Sequence, residues 1–244
     1  MDIREKCQPH LWLLTGTVEG HVFAKSLLKE GWKITVSVVS DRASIPYEKL
    51  NLEKILIGAL INEEEMHNVI LNARVNHDGF NCVIDLTHPF AVNITSSISK
   101  VCKELGQPFI RYERAIDDIS DAFLIEKFSD LQNYDLNNKA ILLAVGVRHL
   151  QEALIVARNL GASVYARILA NPESIRKILS SSIPKTNFAV LNPSVSSDGI
   201  IEKALLKKWN IDGVICRQSG GRNEILWHRI CLSMNINLWL LKRP

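Results

Sequence analysis

The amino-acid sequence predicts an α/β protein built as two units, each a parallel β-sheet with helices on both faces. Three observations carry this reading. Apolar runs of strand length alternate with amphipathic stretches of helix length along nearly the whole chain. The alternation breaks once, at the polar and acidic run 114–121 (RAIDDISD), which reads as a linker. The 244 residues divide there into segments 1–115 and 116–244, each of ordinary domain size.

In the first segment, residues 11–14 (LWLL) form a short strand that ends in Thr15-Gly16-Thr17. A helix follows over 19–30, with Val22, Phe23, Leu27 and Leu28 along one side, and Gly31 stops it. Residues 33–39 are rich in β-branched side chains and read as a strand, with 54–57 as the next. Residues 62–74 are helical, capped by Asn62 and acidic in the first turn. Strand 81–85 leads to a helix over 89–105, with Pro89 in its first turn and Gly106 closing it, and then to a short strand at 108–111. The second segment carries strands at 123–126, 140–145, 163–168, 188–191, 213–216 and 237–241. Its helices fall at 148–160, 172–180, 197–209 and 222–234.

Composition narrows the function classes. Lys and Arg total 29 against 26 Asp and Glu, a formal charge of +3. That is too small to indicate nucleic acid, and a mildly basic surface suits a poly-carboxylate metabolite. No apolar run approaches membrane-spanning length, and the charged N-terminus has no apolar signal core, so a cytoplasmic protein without a membrane partner is expected. The five cysteines are widely spaced with no CxxC. Reduced thiols fit this, with Cys82 and Cys216 as core residues. The seven histidines form no metal-binding pattern.

Ligands of open α/β sheets bind beyond the carboxyl ends of the strands, so the chemistry is sought there. Thr15-Gly16-Thr17 precedes a helix, where small residues and free N–H groups suit a phosphate as well as a plain capped turn. After the second strand, Asp41 suits the ribose hydroxyls of NAD, whereas Arg42 with Ser40 suits the 2′-phosphate of NADP. Thr87, His88 and Pro89 follow the fourth strand. His88 is better placed to line a ligand or move a proton than His10, His67 or His77. Arg111, Arg114, Arg148, Arg167 and Arg217 lie near strand ends, and Ser219-Gly220-Gly221 precedes a helix as a second anion cradle. Such arginines form a receptor for several carboxylates if they converge on one cleft.

The motifs resemble those of the precorrin-6A reductases of cobalamin synthesis. DLTHPFA at 85–91 resembles the family's DATHPFA, and LLTGTVEG at 13–20 is similar to its LLGGTxEA. RYER at 111–114 resembles LRLERP, RQSGG at 217–221 resembles TKxSGG, and the final LWLLKRP resembles VVMxxRP. The order and spacing agree over essentially the whole chain. Thr15 stands where the family has glycine, Gly20 where it has alanine, and Trp227 where it has a lysine. The resemblance implies two Rossmann-like three-layer domains, coenzyme on the first and tetrapyrrole on the second, with terminal strands exchanged between the sheets. It implies NADPH-dependent reduction of one ring double bond of precorrin-6A or its cobalt form, with NADH as the alternative coenzyme. Thr15, Gly16, Thr17, Ser40, Arg42, Thr87, His88 and Pro89 would then hold the coenzyme, with His88 the candidate for catalysis. Arg111, Arg114, Arg148, Arg167, Arg217, Ser219, Gly220 and Gly221 would hold the tetrapyrrole. Neighbouring cobalamin-pathway enzymes are the expected protein partners. The alternatives are a tetrapyrrole carrier or sensor with weakened turnover, and a reductase of the same fold acting on another poly-carboxylate.

Overall fold

The computed structural model describes residues 8–58, 60, 62–76, 79–116, 121–192 and 198–244. The chain forms two compact units, one running to Glu113 and the other spanning Arg114–Arg243.

The first unit contains β1 (His10–Thr15), α1 (Val18–Lys29), β2 (Lys33–Val38), α2 (Asp41–Ser44) and β3 (Lys54–Ile57), then α3 (Glu63–Asn76), β4 (Cys82–Leu86), α4 (Val92–Glu104) and β5 (Phe109–Arg111). Its sheet has the order β3-β2-β1-β4-β5, and its strand pairs are parallel. The two-residue period of a strand sorts β1 between two cores. Trp12 and Leu14 pack with Met66 and Ile70 of α3 and with Ile98 and Val101 of α4. Leu11 and Leu13 pack on the opposite face with Ala24 of α1, Val36 and Tyr47. The unit therefore has three layers.

The second unit contains β6 (Phe123–Ile125), β7 (Ala140–Ala144), α5 (Leu150–Asn159), β8 (Ser163–Leu169) and α6 (Pro172–Leu179), then β9 (Phe188–Leu191), α7 (Ile200–Lys208), β10 (Gly213–Arg217), α8 (Arg222–Met234) and β11 (Asn237–Leu241). The sheet order is β6-β11-β10-β7-β8-β9, again parallel. Leu142, Val214, Cys216, Leu238 and Leu240 share one core with Leu206 of α7 and with Trp227 and Ile230 of α8. On the other face α5 packs against β7 and β8.

Several expectations are corrected. The exchange of terminal strands implied by the resemblance is not seen: β11 pairs with β10 and β6 inside the second sheet. Its run Leu238 to Leu241 is buried throughout, as suits a strand with neighbours on both sides. The helix after β4 starts at Val92, not at Pro89. Residues 88–91 form a turn instead, closed by the Ala91 N–H donating to His88 O at 2.7 Å, while the His88 ring takes the Phe90 N–H. Helix α5 likewise starts at Leu150 rather than 148, because a turn at Gly146, with φ 77, comes first. The short helix α2 and the 3-10 segments Ile45–Tyr47, Phe128–Asn133 and Lys185–Asn187 carried no periodic signal. The expected helix start at 197 and part of the expected linker, 117–120, lie outside the described residues.

The contact between α1 and β1 explains the paired change at positions 15 and 20. A Cβ on Gly20 would lie 2.7 Å from the Tyr47 hydroxyl oxygen and 2.8 Å from Cβ and Cγ2 of Thr15. The larger residue at 15 therefore requires the smaller one at 20. Gly20→Ala is expected to destabilise the protein by about 1–3 kcal/mol through overpacking, and by clearly less in a Thr15→Gly background. A double-mutant cycle in urea checks this; additive effects would show that the two positions are uncoupled.

Candidate functional site

In each sheet the chain reverses its direction of winding at one strand boundary, and this is where α/β sheets open a ligand crevice. In the first unit the boundary lies between β1 and β4. The loops after these strands touch: Thr17 Oγ1 donates to Leu86 O at 3.2 Å, and a Cβ on Gly16 would lie 3.9 Å from Thr87 Cα and 4.0 Å from His88 N. Gly16, Thr17, Thr87 and His88 are thus brought together at the start of α1. Thr15 differs. Its side chain is buried, and its hydroxyl donates to Ser37 O at 3.2 Å, so only its backbone remains for a ligand. Thr17 occupies the N-cap position of α1 without a side-chain cap bond. Ser40, the N-cap residue of α2, and Arg42, within α2, are exposed, and Pro89 is buried in the turn after β4.

Asp85 organises this surface. Its carboxylate is fully buried and lies 2.7 Å from Arg111 Nη1. It also accepts the Thr87 N–H at 2.9 Å and the Thr95 hydroxyl at 2.6 Å. Arg111 donates further to Thr87 Oγ1 at 2.9 Å, to His88 O at 3.4 Å and to Glu113 Oε1 at 3.2 Å. The guanidinium is thus committed to the loop that carries Thr87 and His88. His88 Nδ1 accepts the Phe90 N–H at 3.2 Å. Only a bare ring nitrogen can accept, so the neutral imidazole carries its proton on Nε2. His10 bonds to Thr35 and His67 to Glu63 and Glu104, which are structural roles, and His77 lies outside the described residues.

In the second unit the boundary lies between β7 and β10. Gly146, after β7, sits against Arg217 at the end of β10, where an added Cβ would lie 3.5 Å from Arg217 Nη2. Burial lowers the Arg217 guanidinium from its ordinary value, and Arg148 lowers it further against an opposing effect of Cys216. His149, the N-cap residue of α5, belongs to the same group. Burial and then Arg217 push its imidazole below the usual value, Arg148 adds to this, and Glu152 opposes it. Arg148 and Arg217 make this crevice cationic, and the lowered His149 stands beside them as a neutral imidazole. Arg167 stands apart, within 3.7 Å of Glu202 on α7, with both side chains at least nine-tenths buried. Arg114 donates to Ser219 O at 3.2 Å.

The turn Ser219-Gly220-Gly221 already holds an anion of the chain itself. The N–H groups of Ser219 and Gly220 donate to Glu224 Oε2 at 2.5 and 2.6 Å. Trp227 is a core residue at 3% exposure. Asp85, His149 and Glu224 were missed as site residues. Each left a signal: an acid inside the apolar run CVIDL, a second polar residue after Gly146, and a glutamate three residues past a helix N-cap. Burial raises the four described thiols, Cys102 to about 11 and Cys231 to about 12, so they are inert. No metal-binding cluster occurs among the described residues.

Two doubly wound parallel sheets, one with a small-residue loop at its winding reversal and the other with arginines at its own, define an α/β protein of the Rossmann-like class. Comparison with known proteins gives the particular family. Residues 10–244 match the model of the precorrin-6x reductases CbiJ/CobK, and the chain belongs to that family. It is 27% identical to the cobalt-precorrin-6A reductase of Synechocystis over 96% of this chain and 88% of that protein. It is also 27% identical to the precorrin-6A reductase of Mycobacterium tuberculosis, over 95% of this chain and 88% of that one. A solved CobK precorrin-6A reductase shares the fold, with TM-score 0.74 and 19% identity over 97% of this chain and 89% of that one. No described helix is long and apolar enough to cross a membrane.

Arg111→Ala would leave the buried Asp85 carboxylate without its cation. Breaking a buried pair from one side costs about 3–5 kcal/mol. That loss is expected in urea denaturation, together with faster amide exchange in the slackened Thr87–His88 loop. A loss below about 1 kcal/mol, typical of an exposed pair, would show that Asp85 does not depend on Arg111.

Proposed function

We propose that the chain reduces a ring double bond of precorrin-6A, or of its cobalt form, in cobalamin biosynthesis, with NADPH as hydride donor. The family membership carries the reaction class. The observation that supports the division of labour is the contrast between the two crevices. One offers a glycine-containing loop and the start of a twelve-residue helix, and the other offers Arg148, His149 and Arg217.

The residues of the first unit fit a dinucleotide. Gly16 leaves room between the loops after β1 and β4, and the N-terminus of α1 attracts a phosphate through its dipole and N–H groups. Ser40 and Arg42 would take a 2′-phosphate, because a guanidinium matches phosphate geometry. The bound coenzyme supplies the hydride. Arg111 holds the Thr87–His88 loop in place, and Asp85 holds Arg111. His88 keeps a proton on Nε2 while Nδ1 accepts the Phe90 N–H, so it can donate a hydrogen bond that orients an acceptor group of the coenzyme or substrate. Transfer of a proton to carbon would require the imidazolium, which gives up the Phe90 bond. In the second unit, Arg217 and Arg148 pair with acetate and propionate carboxylates of the macrocycle. Much of the catalytic advantage then comes from placing two bound molecules in register.

Gly16→Val tests the phosphate site. A Cβ on Gly16 meets Thr87 and His88 only at ordinary contact distance, 3.9 and 4.0 Å, whereas a phosphate at the α1 N-terminus would need the space it fills. The variant is expected to fold normally and to bind NADPH at least tenfold more weakly, about 1.4 kcal/mol or more. Unchanged affinity in calorimetry would remove the phosphate from this loop. Arg42→Ala tests the 2′-phosphate. Its KM should rise for NADPH and stay nearly constant for NADH, and an equal rise for both would place Arg42 elsewhere. Reduction of precorrin-6A by the wild-type protein with NADPH tests the reading as a whole; tight binding without coenzyme oxidation would favour a carrier.

A further inference from the structure

The turn before α8 has the outward form of a ligand cradle. It has backbone N–H groups, glycines, and a helix start facing the end of β10. Its contents say otherwise. Glu224 Oε2 accepts both the Ser219 and the Gly220 N–H, and the Glu224 side chain belongs to a residue only 2% exposed. The glycines serve another purpose. A Cβ on Gly221 would lie 2.5 Å from Arg114 Nη1, and one on Gly220 would lie 2.6 Å from Ala115 O and 2.8 Å from Arg243 Nη2. Arg114 and Arg243 are thus laid directly over the turn. Arg114 donates to Ser219 O, Arg243 Nη1 donates to Arg114 O at 2.8 Å, and the Arg243 N–H donates to Gln218 Oε1 at 3.4 Å. Two cations thus contact one turn, whose backbone N–H groups are taken by a buried carboxylate.

We propose that Glu224 is the positioning residue of the tetrapyrrole side: an internal carboxylate that takes the place of a ligand anion, fixes the Ser219–Gly221 turn and so holds Arg114, and Arg217 two residues before the turn, in place. This rests on the reading of the second unit as the macrocycle site. It refines that reading, because the substrate's carboxylates are left to arginine side chains and none enters the start of α8. Charge-assisted bonds to a carboxylate are stronger than those to a neutral oxygen, so the lock needs the ion and not merely the shape.

The test uses the full chain and cobyrinic acid, a stable corrin poly-carboxylate, as the probe in calorimetry. Glu224→Ala should bind it at least tenfold more weakly, about 1.4 kcal/mol, while NADPH affinity is unchanged. Millimolar sodium formate should restore most of the loss by seating in the vacated place, and formamide should not. Where the alanine variant does not fold, Glu224→Gln decides. A loss of about threefold or more supports the proposal, since a neutral oxygen accepts more weakly, and wild-type affinity overturns it. Rescue by formamide as good as by formate also overturns it. Arg217→Ala separates this from the underlying reading. If it binds the probe normally, the tetrapyrrole assignment of this unit fails. If it loses binding while the Glu224 variants keep it, only the role of Glu224 fails.

Discussion

The buried carboxylate of Asp85 is the interaction on which the ligand-facing end of the first unit depends. It sits at the end of β4 and is satisfied from three directions by Arg111, the Thr87 N–H and the Thr95 hydroxyl. A charge so placed is tolerable only with its full set of partners. The partners are therefore held as tightly as the charge. One is the first residue of the loop after β4, one lies on α4, and one ends β5. The remaining donors of Arg111 reach Thr87 Oγ1 and His88 O, which sets the loop beside Gly16. A strand end, two loops and a helix are thus referred to one point, and His88 inherits its position from it.

The second unit solves the same problem with a different carboxylate. Glu224 does for the loop after β10 what Asp85 does for the loop after β4: it satisfies backbone N–H groups at a place where the chain must turn sharply below arginines. The two crevices then differ in sign and in filling. The first is lined by small residues and the start of α1. The second is lined by Arg148, His149 and Arg217; burial first, and then the neighbouring guanidinium charge, lowers His149 and Arg217 from their ordinary values.

The parallel sheets and their helices were legible because periodicity reports burial, and burial follows from sheet position. Trp12 and Leu14 against Leu11 and Leu13 show this directly. Less was legible at the strand ends, where the site is. Pro89 looked like a first-turn residue, yet the turn at 88–91 belongs to the His88 ring and to Arg111. The arginines looked alike in sequence, but their roles differ by what lies opposite: Asp85 for Arg111, Glu202 for Arg167, the Ser219 carbonyl for Arg114. Ser219-Gly220-Gly221 had the composition of an anion cradle, and composition alone could not show that the anion comes from α8. These distinctions depend on which side chain crosses from a neighbouring strand or helix, and no local pattern carries that.

Under the proposed function, coenzyme and macrocycle are received at the two winding reversals, one in each unit. Hydrogen–deuterium exchange read at peptide level, with NADPH and with cobyrinic acid added separately, tests it most directly. NADPH is expected to slow exchange in the loops at 15–19 and 86–91, and cobyrinic acid in the loop at 145–149 and around 217–218. Protection by NADPH confined to the second unit, or protection by the corrin confined to the first, would contradict the account.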